Sequence, residues 1–180
     1  DIRLTLCPHL PPFRGEVLEY LMFSSPTMEE GCERVFKYLR LVSDALNVRL
    51  VREHGRARLV ISSSPERAPV LRHTEICTAY EIIQFARDAS EGAFRPISVR
   101  FTYEQRSPLK AYEAVFGCPV AFNAPHCEVD FDPAVLARPS SRWDPDLLKV
   151  HEEVAEKRLS RLERQDLIER IEGVIARRLE

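Results

Sequence analysis

The chain has 180 residues, 44% hydrophobic and 30% charged, with a net charge of −2. That length suits about one domain with a real core. The near-neutral balance excludes a global basic field that would draw in nucleic acid or an anionic membrane, and no apolar run approaches the ~20 residues needed to cross a bilayer.

The chain opens at Asp1 inside an apolar stretch (Ile2, Leu4, Leu6), without a charged-then-apolar leader, as expected of a fragment of something longer. Residues 7–13, "CPHLPPF", carry three prolines and read as loop. A short helix is expected from Gly15 to Ser24, with Val17, Leu18, Leu21 and Met22 inward. Thr27 is a good N-cap, and Glu30 three residues on completes a capping box. The helix it starts is expected to run over 27–46, because Met28, Cys32, Val35, Leu39, Val42 and Leu46 repeat at three and four.

The period then changes to two. "NVRLVREH" sets Val48, Leu50 and Arg52 against Arg49, Val51 and Glu53; Gly55 is the turn; "RARLVISS" sets Leu59 and Ile61 against Arg58 and Val60. This predicts a β-hairpin over 47–54 and 56–63. A helix over 71–89 follows, then a strand at 96–102. "SPLKAYEAVFG" is a helix with Ser107 as cap and Pro108 in the first turn. Strands at 118–122 and 126–131 come next, then one helical turn in "PAVLA" and a linker in "RPSSRW". From Asp144 onward the pattern is helical, with a break expected in "SRLERQD". The order implies α+β: a mainly antiparallel sheet packed by helices, with a C-terminal helical linker. The expected division is an α+β domain over 1–143 and a linker and dimerisation segment over 144–180.

The chemistry-bearing residues cluster in "YEAVFGCPVAFNAPHCEVDFDPAVLARP" (112–139), where Cys118, His126, Cys127, Asp130 and Asp132 lie close in sequence. Zinc sites want paired ligands at short spacing. His126 and Cys127 are adjacent and point to opposite faces in a strand, and no C-x-x-C or H-x-x-x-H occurs. No metal and no cofactor is expected. A cysteine nucleophile would need a distant base, and His9, His54, His73, His126 and His151 carry no local signature for one. Glycine-rich phosphate loops and G-x-S-x-G are absent. The five scattered cysteines argue against a secreted disulfide framework and for a cytoplasmic location.

On its helix Glu75 shares a side with Ala79, Ile82 and Ala86. A buried charge needs a partner, and two readings stand: pairing with Arg72 or Arg100, or contact with a ligand. Tyr20, Tyr38, Tyr80 and Gln84 also lie on or near inward faces, as core tyrosines or as pocket groups. Along the last helix, Leu147, Val150, Val154, Leu159, Leu162, Leu167, Ile171, Val174 and Ile175 form a narrow apolar stripe among charges. Such a stripe meets either a partner helix or its own domain.

"LMFSSPTMEEGCERVFKYLRLVSDAL" and the 112–139 stretch resemble the ligand-sensing, arabinose-binding-like N-terminal region of AraC/XylS-type transcriptional regulators, in the ornithine-utilisation-regulator-like branch. "DLIERIEGVIARRL" resembles the helix that leads into that family's DNA-binding domain. The resemblance runs from about Phe13 onward and rests on aliphatic residues and turns, not on catalytic side chains. It implies that Gly117, Cys118 and Pro119 form a helix-to-strand corner in which Cys118 is a packing residue. It also implies two helix-turn-helix units beyond the last helix, so DNA contact belongs to an absent C-terminal domain.

The expected function is therefore effector binding and dimerisation in a bacterial regulator, not enzyme catalysis. A small effector, an amino acid or an amine, is expected between the helix at 71–89 and the sheet, with the helix at 27–46 as a wall. Tyr38, Glu75, Tyr80, Gln84 and Arg100 are the candidate ligand-binding residues. Leu159 and Leu162 are the candidate contacts of a homodimer. No membrane partner is expected. The alternatives are a small thiol-dependent hydrolase and an oligomerisation module without an effector.

Overall fold

In the computed structural model of the chain, residues 2–9, 11, 17–53, 55–63 and 68–179 are described, apart from the side chains of 68–74, 173, 178 and 179. Gly15 and His54, and the side chains of Arg72 and His73, fall outside the described residues. The helices are α1 (Ile2–Leu6), α2 (Val17–Phe23), α3 (Met28–Tyr38), α4 (Ala68–Ala89), α5 (Leu109–Phe116) and α6 (Pro145–Leu179). The strands are β1 (Leu46–Glu53), β2 (Arg56–Ser63), β3 (Pro96–Arg100), β4 (Val120–Ala121) and β5 (Cys127–Phe131).

The five strands form one sheet in the order β1-β2-β5-β3-β4, antiparallel except for the short parallel pair β3–β4. This is the mixed, mainly antiparallel architecture that the switch between periods of two and 3.6 implies. Register then sorts the side chains. Val48, Ile61 and Cys127 lie in one row and Leu50, Leu59, Val129 and Val99 in another, all toward the helices. Arg49, Val60, Glu128 and Arg100 lie in the alternate rows and face away. The apolar rows, with Ile76, Ala79, Ile83 and Ala86 of α4, make the main core. Phe101, Tyr103, Tyr112, Phe116 and Phe122 pack as a ring cluster where β3 meets α5, with Phe101–Tyr103 centroids 5.2 Å apart.

Local chemistry accounts for the boundaries. Thr27 caps α3: its hydroxyl accepts the Glu30 N–H at 3.3 Å. The Glu30 carboxylate turns to Arg34 one turn later. The expected helix over 27–46 is shorter than its periodicity suggests. It tightens into a 3-10 turn at Leu39–Leu41, and Ser43 Oγ accepts the Ala45 N–H at 3.3 Å, a side-chain bond that competes with the helical ladder. Leu46 is thereby freed to open β1. Helix α5 starts differently from expectation. Its N-cap is Pro108 without a side-chain cap, and the Ser107 carbonyl accepts from the Gln105 side chain at 2.8 Å. At the other end Gly117 takes φ 72° and its N–H reaches Glu113 O at 2.8 Å, a left-handed stop that suits glycine. Cys7–His9 is a 3-10 turn within the stretch expected to be loop, and "PAVLA" is a 3-10 turn capped by Asp132.

Helix α6 runs unbroken through "SRLERQD". Arg34 binds Glu152 at 2.7 Å, Tyr38 binds Glu156 at 2.9 Å, and Arg40 pairs with Asp166. These contacts dock the first two-thirds of α6 on α3 and its 3-10 extension and carry the helix across the expected break. No described helix is long and apolar enough to cross a membrane.

Candidate functional site

A cavity of about 100 Å³ lies between α3, α4 and the helix-facing side of β1, β2 and β5. Met28, Cys32, Val35 and Phe36 come from α3, and Ile82, Phe85 and Ala86 from α4. Val48, Leu59 and Phe131 form its floor on the sheet. Among the described residues its polar groups, Thr78 and Glu81, enter from α4. Glu81 is half-buried, and removal of water pushes its carboxyl above the usual carboxylate range.

None of the five residues expected to converge on a ligand lines this cavity. Glu75 is 3% exposed and serves the fold. Its Oε2 accepts the Thr102 N–H at 3.1 Å and its Oε1 accepts the Thr102 hydroxyl, tying α4 to the chain leaving β3. Neither arginine pairing nor a ligand is needed to satisfy it. Tyr38 is buried, and its hydroxyl accepts from Lys37 and donates to Glu156, bridging α3 and α6. Tyr80 sets its ring edge-on to Phe116, with centroids 6.4 Å apart, and Gln84 is half-buried on α4.

Arg100 stands on the opposite face of the sheet. Its Nε lies 2.6 Å from Glu128 and its Nη2 2.9 Å from Asp130. Arg58 binds Asp130 from the neighbouring strand at 2.8 Å, and the Ser98 hydroxyl donates to it at 2.9 Å. Burial works to raise the Asp130 carboxyl, but the bonds from Arg58 and Ser98 and the charge of Arg100 outweigh it and hold it below the usual range. This network lies on the outer sheet face, where it buries Glu128 and Asp130.

Sequence reasoning missed Glu81 and Thr78. A signal for them exists: Thr78, Ile82 and Phe85 make a second spacing of four and three beside Ile76, Ala79, Ile83 and Ala86. A helix apolar over two adjacent sides is buried on both.

The residues of the 112–139 cluster part company. Cys127 is buried on the helix-facing side of β5, His126 is exposed, Asp130 points outward, and Cys118 packs just after Gly117. Among the described residues no three His, Cys, Asp or Glu side chains come together as a metal set. Burial raises the thiols, Cys32 up to about 12 and Cys118 up to about 11, with Cys7 and Cys127 also pushed upward. Thiols so shifted stay protonated and are poor nucleophiles at neutral pH.

Leu159 packs partly against the chain's own core, and Leu162 is half-buried. Further along α6, Leu167, Ile168, Ile171, Val174 and Ile175 are each 49–56% exposed.

The chain is thus a mixed α/β domain folded around an apolar cavity and continued by a long helix. Residues 4–140 match the family described as the arabinose-binding domain of the AraC transcription regulator, N-terminal, and the chain belongs to that family. It is 26% identical over 166 residues to the ornithine utilization regulator of Pseudomonas aeruginosa, a match covering 90% of this chain and 48% of that protein. Its fold is similar to that of the transcriptional regulator CdpR from Pseudomonas aeruginosa, with a TM-score of 0.69 at 17% identity over 88% of this chain and 53% of that one. The chain thus spans about half the length of the relatives it matches.

Proposed function

We propose that this domain binds a small-molecule effector in the cavity between α3, α4 and the sheet, and passes the bound state to α6. The carrying observation is the double duty of α3. Met28, Cys32, Val35 and Phe36 wall the cavity, while Arg34, Lys37 and Tyr38 on the same helix grip Glu152 and Glu156 of α6. A ligand that favours one position of α3 then favours one position of α6. On this account residues 1–143 sense, and 144–180 dimerise and lead toward a DNA-binding domain. The kinship with an ornithine utilization regulator supports an amine or amino-acid effector.

Dimerisation is assigned to the end of α6, where Leu167, Ile168, Ile171, Val174 and Ile175 stand exposed on a charged helix. Leu159 and Leu162 border that segment but lean toward their own domain. Regulation rather than catalysis is further supported by the raised thiols, which disfavour a thiol-dependent hydrolase, and by the regulatory relatives. Such a domain would act in the cytoplasm beside the DNA its parent reads.

Thermal unfolding of the chain against a panel of small amines and amino acids tests the effector assignment. A ligand at 100 times its Kd raises stability by about 2.7 kcal/mol. Filling the cavity with Val35→Trp is expected to abolish the response. A response that survives in the filled variant moves the effector elsewhere, and an oligomerisation module without an effector gives no response at all.

A further inference from the structure

The cavity is walled almost wholly by carbon and sulfur, with Glu81 its one charged group among the described residues. No lysine or arginine lines it among those residues. Glu81 is half-buried and has no hydrogen bond or ion pair to another described residue. Thr78, three positions earlier on α4, offers a hydroxyl beside it. A half-buried carboxylate whose only electrostatic neighbour among the described residues is the Cys7 thiol is costly, and a ligand that brings a hydrogen-bonding cation relieves that cost. Arg100, the residue that would have suited a ligand carboxylate, is held by Glu128 and Asp130 on the far side of the sheet.

We infer that the cavity selects a small primary amine with a hydrocarbon or aryl body and no α-carboxylate, its ammonium against Glu81 and Thr78 and its body among Val35, Phe36, Ile82 and Phe85. The inference rests on the effector assignment above and narrows it from amines and amino acids to amines alone. An amino acid would carry its carboxylate into an apolar space whose only charge among the described residues is negative. The ligand must also be small: a dry engineered cavity of about 150 Å³ takes benzene, and this one offers about 100 Å³, so a ring with a head group enters only if the lining side chains give way. The phenylalanine and methionine lining suits a flat ring. Anions are excluded twice, by the missing cation and by repulsion from Glu81.

Calorimetric titration of the 180-residue chain with benzylamine, phenylglycine, benzoate and benzyl alcohol separates the alternatives, since these probes share a ring and differ in head group. Benzylamine is expected to bind at least about tenfold more tightly than phenylglycine or benzoate, a difference of about 1.4 kcal/mol or more. Glu81→Gln is expected to erase that preference while leaving benzyl alcohol unchanged. Thr78→Val, which keeps the carboxylate, is expected to weaken benzylamine several-fold, and it serves as the test if the Gln variant fails to fold. Binding of benzyl alcohol or benzoate without any preference for benzylamine overturns the amine assignment and leaves the effector cavity standing. Phenylglycine binding more tightly than benzylamine does the same. No heat and no stabilisation from any of the four overturns the amine inference for ring-bearing ligands, and the effector assignment falls with it only if the panel of small amines and amino acids also gives no stabilisation.

Discussion

Glu75 and Glu81 stand six residues apart on α4, and at 3.6 residues per turn they point about 120° apart around the helix axis. That angle separates a carboxylate that holds the fold together from one that faces the cavity. Glu75→Gln is expected to lower stability by roughly 1–2 kcal/mol, because the Thr102 bonds lose their charged acceptor. Cavity ligands should keep their affinity. Denaturant unfolding with calorimetry checks both halves, and a loss of affinity at unchanged stability would return Glu75 to the site. Asp130 gives the pH-dependent case. Its folded carboxyl titrates below the ordinary aspartate value of about 3.9, so its contribution is full above that value and disappears as pH falls through the folded one. Asp130→Asn is expected to cost about 1.5–3 kcal/mol at pH 7 and to flatten the loss of stability below about pH 4. Equal acid slopes in the two proteins would contradict this role. At this scale the sequence was legible only in part. The inward phase of Ala79 and Ala86 was readable from spacing alone. The choice between Glu75 and Glu81 was not, because it depends on which neighbour covers each side of α4. Arg100 was misplaced for a related reason: strand alternation fixes that neighbours oppose, but not which face the helices cover.

The elements were more legible than the residues. The hairpin, the capping threonine and the left-handed stop at Gly117 all stand where local chemistry calls for them. The end of α3 departed because the Ser43 hydroxyl takes up a backbone N–H, and α5 opens at Leu109 with Pro108 as its cap; propensity settles neither. Packing of α2 on α3 depends on a close approach at Gly31. A Cβ there would lie 2.5 Å from Met22 Sδ and 3.1 Å from the Met22 carbonyl oxygen. Gly31→Ala is therefore expected to destabilise the chain by about 1–3 kcal/mol through overpacking; an unchanged unfolding midpoint would show that α2 can move away. Helix α6 divides into a docked part, as far as Asp166, and an exposed apolar part beyond it. Ile168→Glu with Ile171→Glu is expected to yield monomers without loss of stability, whereas Leu159→Glu should unfold the docked part because Leu159 packs on its own core. Sedimentation and thermal unfolding distinguish the two. A dimer that persists in the double variant refutes the assignment of the interface to the end of α6.

For the whole molecule, the sheet contributes rigidity on one side and a floor on the other. The charged network of Arg58, Arg100, Glu128 and Asp130 lies on the outer face, opposite the cavity. Helices α2 and α3 both line the cavity, through Leu18 and Met22 and through Met28, Cys32, Val35 and Phe36, and both touch α6, which makes them the natural carriers of a ligand signal. The two methionines of the chain, Met22 and Met28, both line the cavity. A methionine-methyl-labelled sample therefore gives two NMR signals, each a direct report on the proposed site. Addition of a ligand that stabilises the chain is expected to shift both, with saturation at the calorimetric Kd. A ligand that binds by calorimetry while both methyl signals stay unmoved would show that the cavity between α3, α4 and the sheet is not where the effector is sensed.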